Sequence, residues 1–381
     1  MHLKHPLWAE IDLGAIAHNC RQIIGHIHEG TGFMAVVKAN GYGHGAAEVA
    51  RTALENGADQ LAVARLQEAL ELRQAGIKAG ILILGWSSAQ DIRHLLEQNL
   101  TQSIFDLEQA RELSQAAQAK RQRLKCHLKL DTGMGRLGLP AQAAGSRHEL
   151  RPELLQAVQE IYQLPGLDVQ GVYTHLAQAD NPDSSHSQNQ LACLQAVLRK
   201  MRQLGLQPGI CHAANSAGVL NLRQSHLNLV RPGLILYGLY PELNLASLKL
   251  CPAMHLKARI IQVRELQPGE TVSYGSTFVA RERARIATVP IGYADGYPRI
   301  LSNQGQMLVK GQRAKVAGRV CMDLTMLDVS RIPGVEAGDE VLILGQQKGQ
   351  AIRAEELGRL SCSINYEIVS RLGPRVPRIY I

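Results

Sequence analysis

Over roughly the first 240 residues the spacing of apolar side chains alternates between two periods, and this alternation constrains the fold more than any other feature of the chain. Short apolar runs read as buried strands: FMAVVKAN (33–40), QLAVAR (60–65), ILILGW (81–86), QSIF (102–105), CHLKLDT (126–132), VQGVYTH (169–175), GICHAAN (209–215) and NLVRPG (228–233). Between them, LQEALELRQAG (66–76), AQDIRHLLEQ (89–98), DLEQARELSQAAQAK (106–120) and SQNQLACLQAVLRKMRQLG (187–205) place apolar residues on one helical face. Eight such switches are the arithmetic of an α/β fold of the (β/α)8, TIM-like barrel type. A doubly wound open sheet competes with it, because periodicity does not distinguish the two.

From about residue 242 the texture changes. ARIIQVREL before QPGE, ARIATVPIG before YADGYP, QMLVKGQRAKVAG, DLTMLDVS and DEVLILG are β-rich runs broken by turn signals, with no long helical pattern between them. The reading is two domains, a barrel over 1–241 and a mainly β domain over 242–381, with the N-terminal segment available to pack on the second. A length of 381 residues, beyond the ~100–200 of an ordinary domain, accommodates both.

Hydrophobic residues make up 45% of the chain and charged residues 19%, enough for a soluble protein with a sizeable core. The net charge of +8 comes without a Lys/Arg block or a basic stripe interleaved with aromatics, so no nucleic-acid partner is expected, while a small anionic ligand fits. Seven cysteines, none spaced as C-x-x-C, argue against a disulfide framework or zinc site and for a reducing cytoplasm. The N-terminus, MHLKHPLWAEIDLGAI, is punctuated by charge, and no apolar run approaches the roughly 18–20 residues of a membrane helix. Neither export nor a membrane partner is expected.

A barrel enzyme builds its site where the strands end and the βα loops converge. The polar residues ending the eight runs include Lys38, Arg65, Lys129 and Asp131 followed by Arg136, His175, Asn215 with Ser216, and Arg231. Each alone has a mundane explanation in solvation or backbone hydrogen bonding, but on one rim they form a site. No metal is expected, since His175, His212 and His255 lack a His or carboxylate at i+4. Ser216 sits in NSAG rather than a G-x-S-x-G elbow, and GYGHG (41–45) lacks both the G-x-G-x-x-G spacing and an acidic ribose partner. Lys38 is the remaining candidate: a desolvated strand-end lysine loses its charge readily and can condense with a carbonyl, as the lysines that hold pyridoxal phosphate do.

At this point the motifs form a pattern. AVVKANGYGHG, HLKLDTGMGRLG (127–138), THLAQAD (174–180), HAANSAG (212–218), VRPGLILYG (230–238), VSYGSTF (272–278), VPIGYADGYPR (289–299), GRVCMD (318–323) and SINYEIVSRLGPRVPR (363–378) resemble, in this order, the motifs of bacterial alanine racemase. The resemblance spans nearly the whole chain. It implies a pyridoxal 5'-phosphate enzyme with a barrel, a C-terminal β domain, and a head-to-tail homodimer whose sites lie between subunits.

The resemblance also implies roles. Lys38 is the lysine joined to the cofactor and one base; Tyr274, contributed by the other subunit, is the second, assisted by His175 beside Arg231. Arg231 faces the pyridine nitrogen and, with a pKa above roughly 12, cannot protonate it, which favours return of a proton to Cα over transamination. Tyr42, Asn215, Ser216, Gly233, Leu234 and Tyr366 match cofactor-binding positions, most of them on the phosphate. Arg136 and the Met322 backbone match the substrate-carboxylate site, with Lys129 carbamylated to orient the arginine. Tyr293, Arg299, Arg319 and Asp323 match the entrance, which suits a small side chain. The expected reaction is interconversion of L- and D-alanine, supplying D-alanine for peptidoglycan. A broader racemase acting on serine and a non-catalytic pyridoxal-phosphate carrier are the alternatives; a single-barrel carrier would lack VSYG and its domain.

Overall fold

The computed structural model describes residues 5–142, 150–181, 185–241 and 248–381, which divide into two compact units. Strand β1 (Leu7–Ile11), residues 42–45 and the chain from Cys251 onward belong to one unit; 16–41 and 46–250 belong to the other.

In the larger unit the strands are β2 (Gly32–Val36), β3 (Gln60–Val63), β4 (Gly80–Ile83), β5 (Thr101–Ile104), β6 (Leu124–Asp131), β7 (Leu167–Tyr173), β8 (Ile210–His212) and β9 (Leu229–Val230). Each pairs in parallel with the next, and β9 pairs with β2, so the sheet closes into an eight-stranded barrel rather than an open sheet. Every one of the eight apolar runs overlaps a strand. The strands are rich in Val, Ile and Leu because both their faces are covered, and Leu61, Ile81, Leu82, Ile83, Leu128 and Val172 are buried. Helices over Leu66–Gln74, Leu107–Ala119 and Ser185–Gln203 fall on the periodic segments, and AQDIRHLLEQ divides into a 3-10 turn and the helix Ile92–Glu97.

Strand β6 has the longest run, eight residues, and carries Lys129 and Asp131 to the barrel rim. Its register against β7 shifts between Cys126 and His127. A Cβ at the facing Gly171 would stand 2.6 Å from the Ile210 carbonyl oxygen and 2.9 Å from His127 Cε1, so only glycine leaves room there for the His127 ring.

The smaller unit is built on a twisted, mostly antiparallel sheet. The further strands along its path are β10 (Met254–Arg259), β11 (Gln262–Leu266), β12 (Ala284–Val289), β13 (Gln306–Val309), β14 (Gln312–Val316), β15 (Thr325–Asp328), β16 (Glu340–Gln347) and β17 (Arg378–Tyr380), with Gln350–Ile352 paired to β16 off the path and a separate two-stranded ribbon of Thr271–Val272 and Phe278–Val279. The order is β11-β12-β15-β14-β13-β16-β10-β1-β17, so the N-terminal strand is stitched between β10 and the C-terminal strand. Two helices, Ala354–Leu360 and Asn365–Ser370, interrupt the β texture; at seven and six residues each is too short to show a helical period in the sequence. No helix among the described residues is long and apolar enough to cross a membrane.

Candidate active site

Lys38 stands one residue beyond β2, after Val37, and the chain then makes an uncommon turn. Ala39, Asn40, Gly41, Tyr42 and Gly43 all have positive φ, between 50° and 84°. The Gly41 amide donates to the Val37 carbonyl at 2.9 Å, closing a left-handed turn that brings the lysine side chain out at the rim. The amine is half-buried and makes no hydrogen bond or ion pair among the described residues. Burial lowers its pKa, the Arg136 charge lowers it further, and Glu68 opposes both.

Lys129 is buried, with Nζ 5.7 Å from the Tyr173 ring centroid. Burial, Arg136 and Arg231 bring its amine down to about 8. Asp131 fixes the next loop: its carboxylate accepts from the amides of Gly133 at 2.9 Å, Met134 at 2.8 Å and Gly135 at 2.9 Å, which sets the approach of Arg136. The carboxylates acting on these two lysines are Glu68 and Asp131, against the cations Lys38, Lys129, Arg136 and Arg231. The rim therefore favours an anion.

Arg231, just after β9, is 3% exposed. Its Nη2 donates to the carbonyls of Thr174 at 2.8 Å and Ala213 at 3.0 Å, with His175 Nδ1 at 3.4 Å. Its Nη1 donates to His212 Nδ1 at 2.7 Å, and His212 Nε2 lies 2.8 Å from His127 Nδ1. A guanidinium has donors only, which assigns the protons along this line. His212 Nδ1 must accept, so its hydrogen is on Nε2 and is donated to His127 Nδ1; both imidazoles are neutral. Burial and the Arg231 charge push His127 down to about 4 and His212 well below the usual imidazole range. Tyr173 stacks on His212 at 4.6 Å with its hydroxyl 2.7 Å from Ser103 Oγ. This line was missed in the sequence, where nothing connects two histidines 85 residues apart.

The residues matched to cofactor binding have firm local roles. Asn215 caps the short helix Ser216–Asn221 by accepting from the Gly218 amide at 2.9 Å. Ser216 Oγ accepts from the Gly233 amide at 2.9 Å, which ties this helix to the turn that opens Leu234–Tyr237. In the smaller unit the rings of Tyr42 and Tyr366 lie 6.2 Å apart, and burial raises the Tyr42 hydroxyl.

Tyr274, Tyr293, Arg299, Arg319, Met322 and Asp323 belong to the smaller unit as well. They share neighbouring loops. Ser273 Oγ donates to the Arg319 carbonyl at 2.6 Å, the Tyr293 amide donates to the Cys321 carbonyl at 3.1 Å, and Asp323 pairs with Arg375 at 2.7 Å. Tyr274 is 71% exposed and Met322 52%.

A closed barrel whose strand ends gather a desolvated lysine, a buried arginine and surplus positive charge has the layout of a (β/α)8 enzyme site that receives an anionic ligand. Family models described as "Alanine racemase, N-terminal domain" and "Alanine racemase, C-terminal domain" match residues 11–241 and 253–380. An alanine racemase of Desulforamulus reducens is 48% identical over 381 residues, all of both chains, and one of Methanococcus maripaludis is 42% identical over 382 residues, again all of both. The crystal structure of alanine racemase from Bacillus anthracis with bound L-Ala-P matches with a TM-score of 0.92 at 36% identity, covering 100% of this chain and 96% of that one. That from Streptomyces lavendulae matches with a TM-score of 0.92 at 37% identity, covering 100% and 98%. The chain belongs to the alanine racemase family, whose members are pyridoxal-phosphate-dependent isomerases.

The residues present fit that cofactor. A phosphate and a substrate carboxylate would answer the unbalanced cations of the rim, and the Lys38 amine is desolvated and without a hydrogen bond or ion pair among the described residues. Arg231 Nε has no acceptor among the described residues, which leaves a donor for a ring nitrogen.

Proposed function

We propose that this protein interconverts L- and D-alanine with pyridoxal 5'-phosphate held at the barrel rim of residues 1–241, and with the second base supplied by 242–381 of a second copy. The observation that carries the reading is the half-buried Lys38 amine, which makes no hydrogen bond or ion pair among the described residues and feels the Arg136 charge. Pyridoxal phosphate, when bound, supplies an electron-withdrawing ring that acidifies the Cα–H of an amino acid joined to it.

The chain's own residues do the rest. Lys38 holds the cofactor and moves a proton on one face of Cα; the partner subunit's Tyr274 does so on the other. One base takes a proton as the conjugate acid of the other delivers one, so each turnover inverts Cα with no net proton change. A tyrosine with the ordinary pKa near 10 needs help as a base. His175 offers it: its Nδ1 lies 3.4 Å from a donor-only guanidinium, and in the tautomer with the hydrogen on Nε2 it can donate to a phenolate. Arg231, a donor only, leaves the ring nitrogen unprotonated and the return of the proton to Cα favoured. Ser216, Gly233, Leu234, Tyr42 and Tyr366, with Asn215 behind them, hold the phosphate end. Arg136 and the partner subunit's Met322 amide take the substrate carboxylate, while Tyr293, Arg299, Arg319 and Asp323 restrict the entrance.

The exposure of Tyr274, Met322 and Tyr293 supports a homodimer, since a second copy would cover them. Seven free cysteines favour the cytoplasm, and D-alanine for peptidoglycan is the use such a product would serve. Polarimetric assay of the reconstituted protein tests the reading. L-alanine should racemise fully, L-serine more slowly, and Lys38→Ala and Tyr274→Phe should each lose at least about 10²-fold in rate. Faster turnover of larger amino acids than of L-alanine, or wild-type rates in Tyr274→Phe, would refute it.

A further inference from the structure

The left-handed turn after Lys38 raises the question of what holds it. Non-glycine residues seldom occupy this region, because Cβ crowds the following carbonyl oxygen, yet Ala39, Asn40 and Tyr42 do so in near succession. Two side chains grip it within the barrel unit. Asn40 Oδ1 accepts from the Ala46 amide at 3.0 Å. Glu68, from the loop and helix after β3, reaches across: its Oε1 accepts from the Ala39 amide at 2.6 Å, the first backbone donor beyond the lysine. Its Oε2 accepts from the amides of Ala64 at 2.7 Å and Arg65 at 3.0 Å.

Glu68 stands at the third position of helix Leu66–Gln74, where a glutamate commonly caps its own helix. Capping accounts for Oε2 but not for Oε1, which leaves the helix to bind a different βα loop. We propose that Glu68 is a positioning residue for the reaction: its carboxylate clamps the β2 and β3 loops together and thereby aims the Lys38 amine. The inference rests on Lys38 being the reacting amine. Only a carboxylate suits the place, because all three groups it meets are N–H donors. Glutamine could satisfy one loop and would turn an NH2 group toward the other.

The same carboxylate acts on the amine through its charge. Besides Glu68, the titratable groups coupled to Lys38 are Arg136, Lys129 and His175. Glu68 opposes the lowering of the Lys38 pKa, so its neutralisation should lower that pKa further.

Backbone amide exchange of the holoenzyme, read by mass spectrometry over residues 38–43 and 64–66, separates a clamp from a cap. In Glu68→Ala, exchange at Ala39 should rise about tenfold or more, the scale of a lost hydrogen bond to a charged group, and in Glu68→Gln one of the two loops should lose its protection. In the same variants kcat should fall by roughly ten- to a hundredfold with KM for L-alanine little changed, and the rate profile should move to lower pH on its basic-group limb. Glu68→Asp, which keeps the charge but loses reach, should restore the pH limb without restoring Ala39 protection. Glu68→Gln keeps the size and one acceptor, so it serves should Glu68→Ala not fold. Unchanged Ala39 exchange in Glu68→Ala, or full protection of both loops in Glu68→Gln, would overturn the clamp. Wild-type racemisation in Lys38→Ala would instead remove the reading beneath it, leaving the exchange result to stand or fall alone.

Discussion

Replacing His127 by leucine tests the proton assignment behind Arg231. His127 is 2% exposed and His212 0%, so removing the acceptor strands the His212 Nε2–H away from water. An unsatisfied buried donor costs about 1–3 kcal/mol, and the variant should be less stable than the wild type by that amount at pH 8. At acid pH a second effect opposes the first. His127 is held down to about 4 in the folded protein, against 6.5 when unfolded. As pH falls below the unfolded value the unfolded chain takes up a proton that the folded chain refuses, so the wild type loses stability from this group between pH 6.5 and 4. At pH 5 the loss is about 2 kcal/mol, and leucine does not incur it. The stability gap between the two proteins should therefore narrow, or reverse, on going from pH 8 to pH 5. Scanning calorimetry of both holoenzymes should show the difference in melting temperature shrinking by roughly 2–3 °C. A gap that stays constant or widens on acidification would refute the neutral, Nε2-protonated line.

Other consequences follow from the same contacts. Gly171→Ala should lower the melting temperature by an amount equivalent to about 1–3 kcal/mol, because its Cβ would meet the Ile210 carbonyl at 2.6 Å; an unaffected melting curve would mean the barrel backbone yields freely there. Asp131→Asn should raise KM for L-alanine roughly tenfold, with a smaller effect on kcat, by loosening the loop that presents Arg136. The Lys129 amine, brought to about 8, has a substantial neutral fraction at mildly alkaline pH and should take up carbon dioxide from bicarbonate. Gentle mass spectrometry should find the carboxyl adduct on the Lys129 peptide, and its absence would leave Arg136 facing an unmodified cation.

The fold was legible because a closed parallel barrel needs eight apolar strands at helix-length intervals, and GICHAAN and NLVRPG are as apolar as their burial requires even though the strands they form are only three and two residues long. The two short helices of the smaller unit were not legible, since six or seven residues carry no usable period. Lys38, Lys129, His175 and Arg231 stand out in sequence because charge is costly at the end of an apolar run, and barrel closure sets their strand ends on one rim. Other features depend on contacts across the barrel. His127 and His212 look like ordinary strand residues, and Glu68 looks like an ordinary capping glutamate; their meaning lies in partners 85 and 29 residues away.

Borohydride reduction of the pyridoxal-phosphate-loaded protein, followed by peptide mapping, tests the central claim most directly. The pyridoxyl mass should appear on the peptide containing Lys38, and on no other. A label on a different lysine, or an active enzyme that cannot be labelled at all, would contradict it.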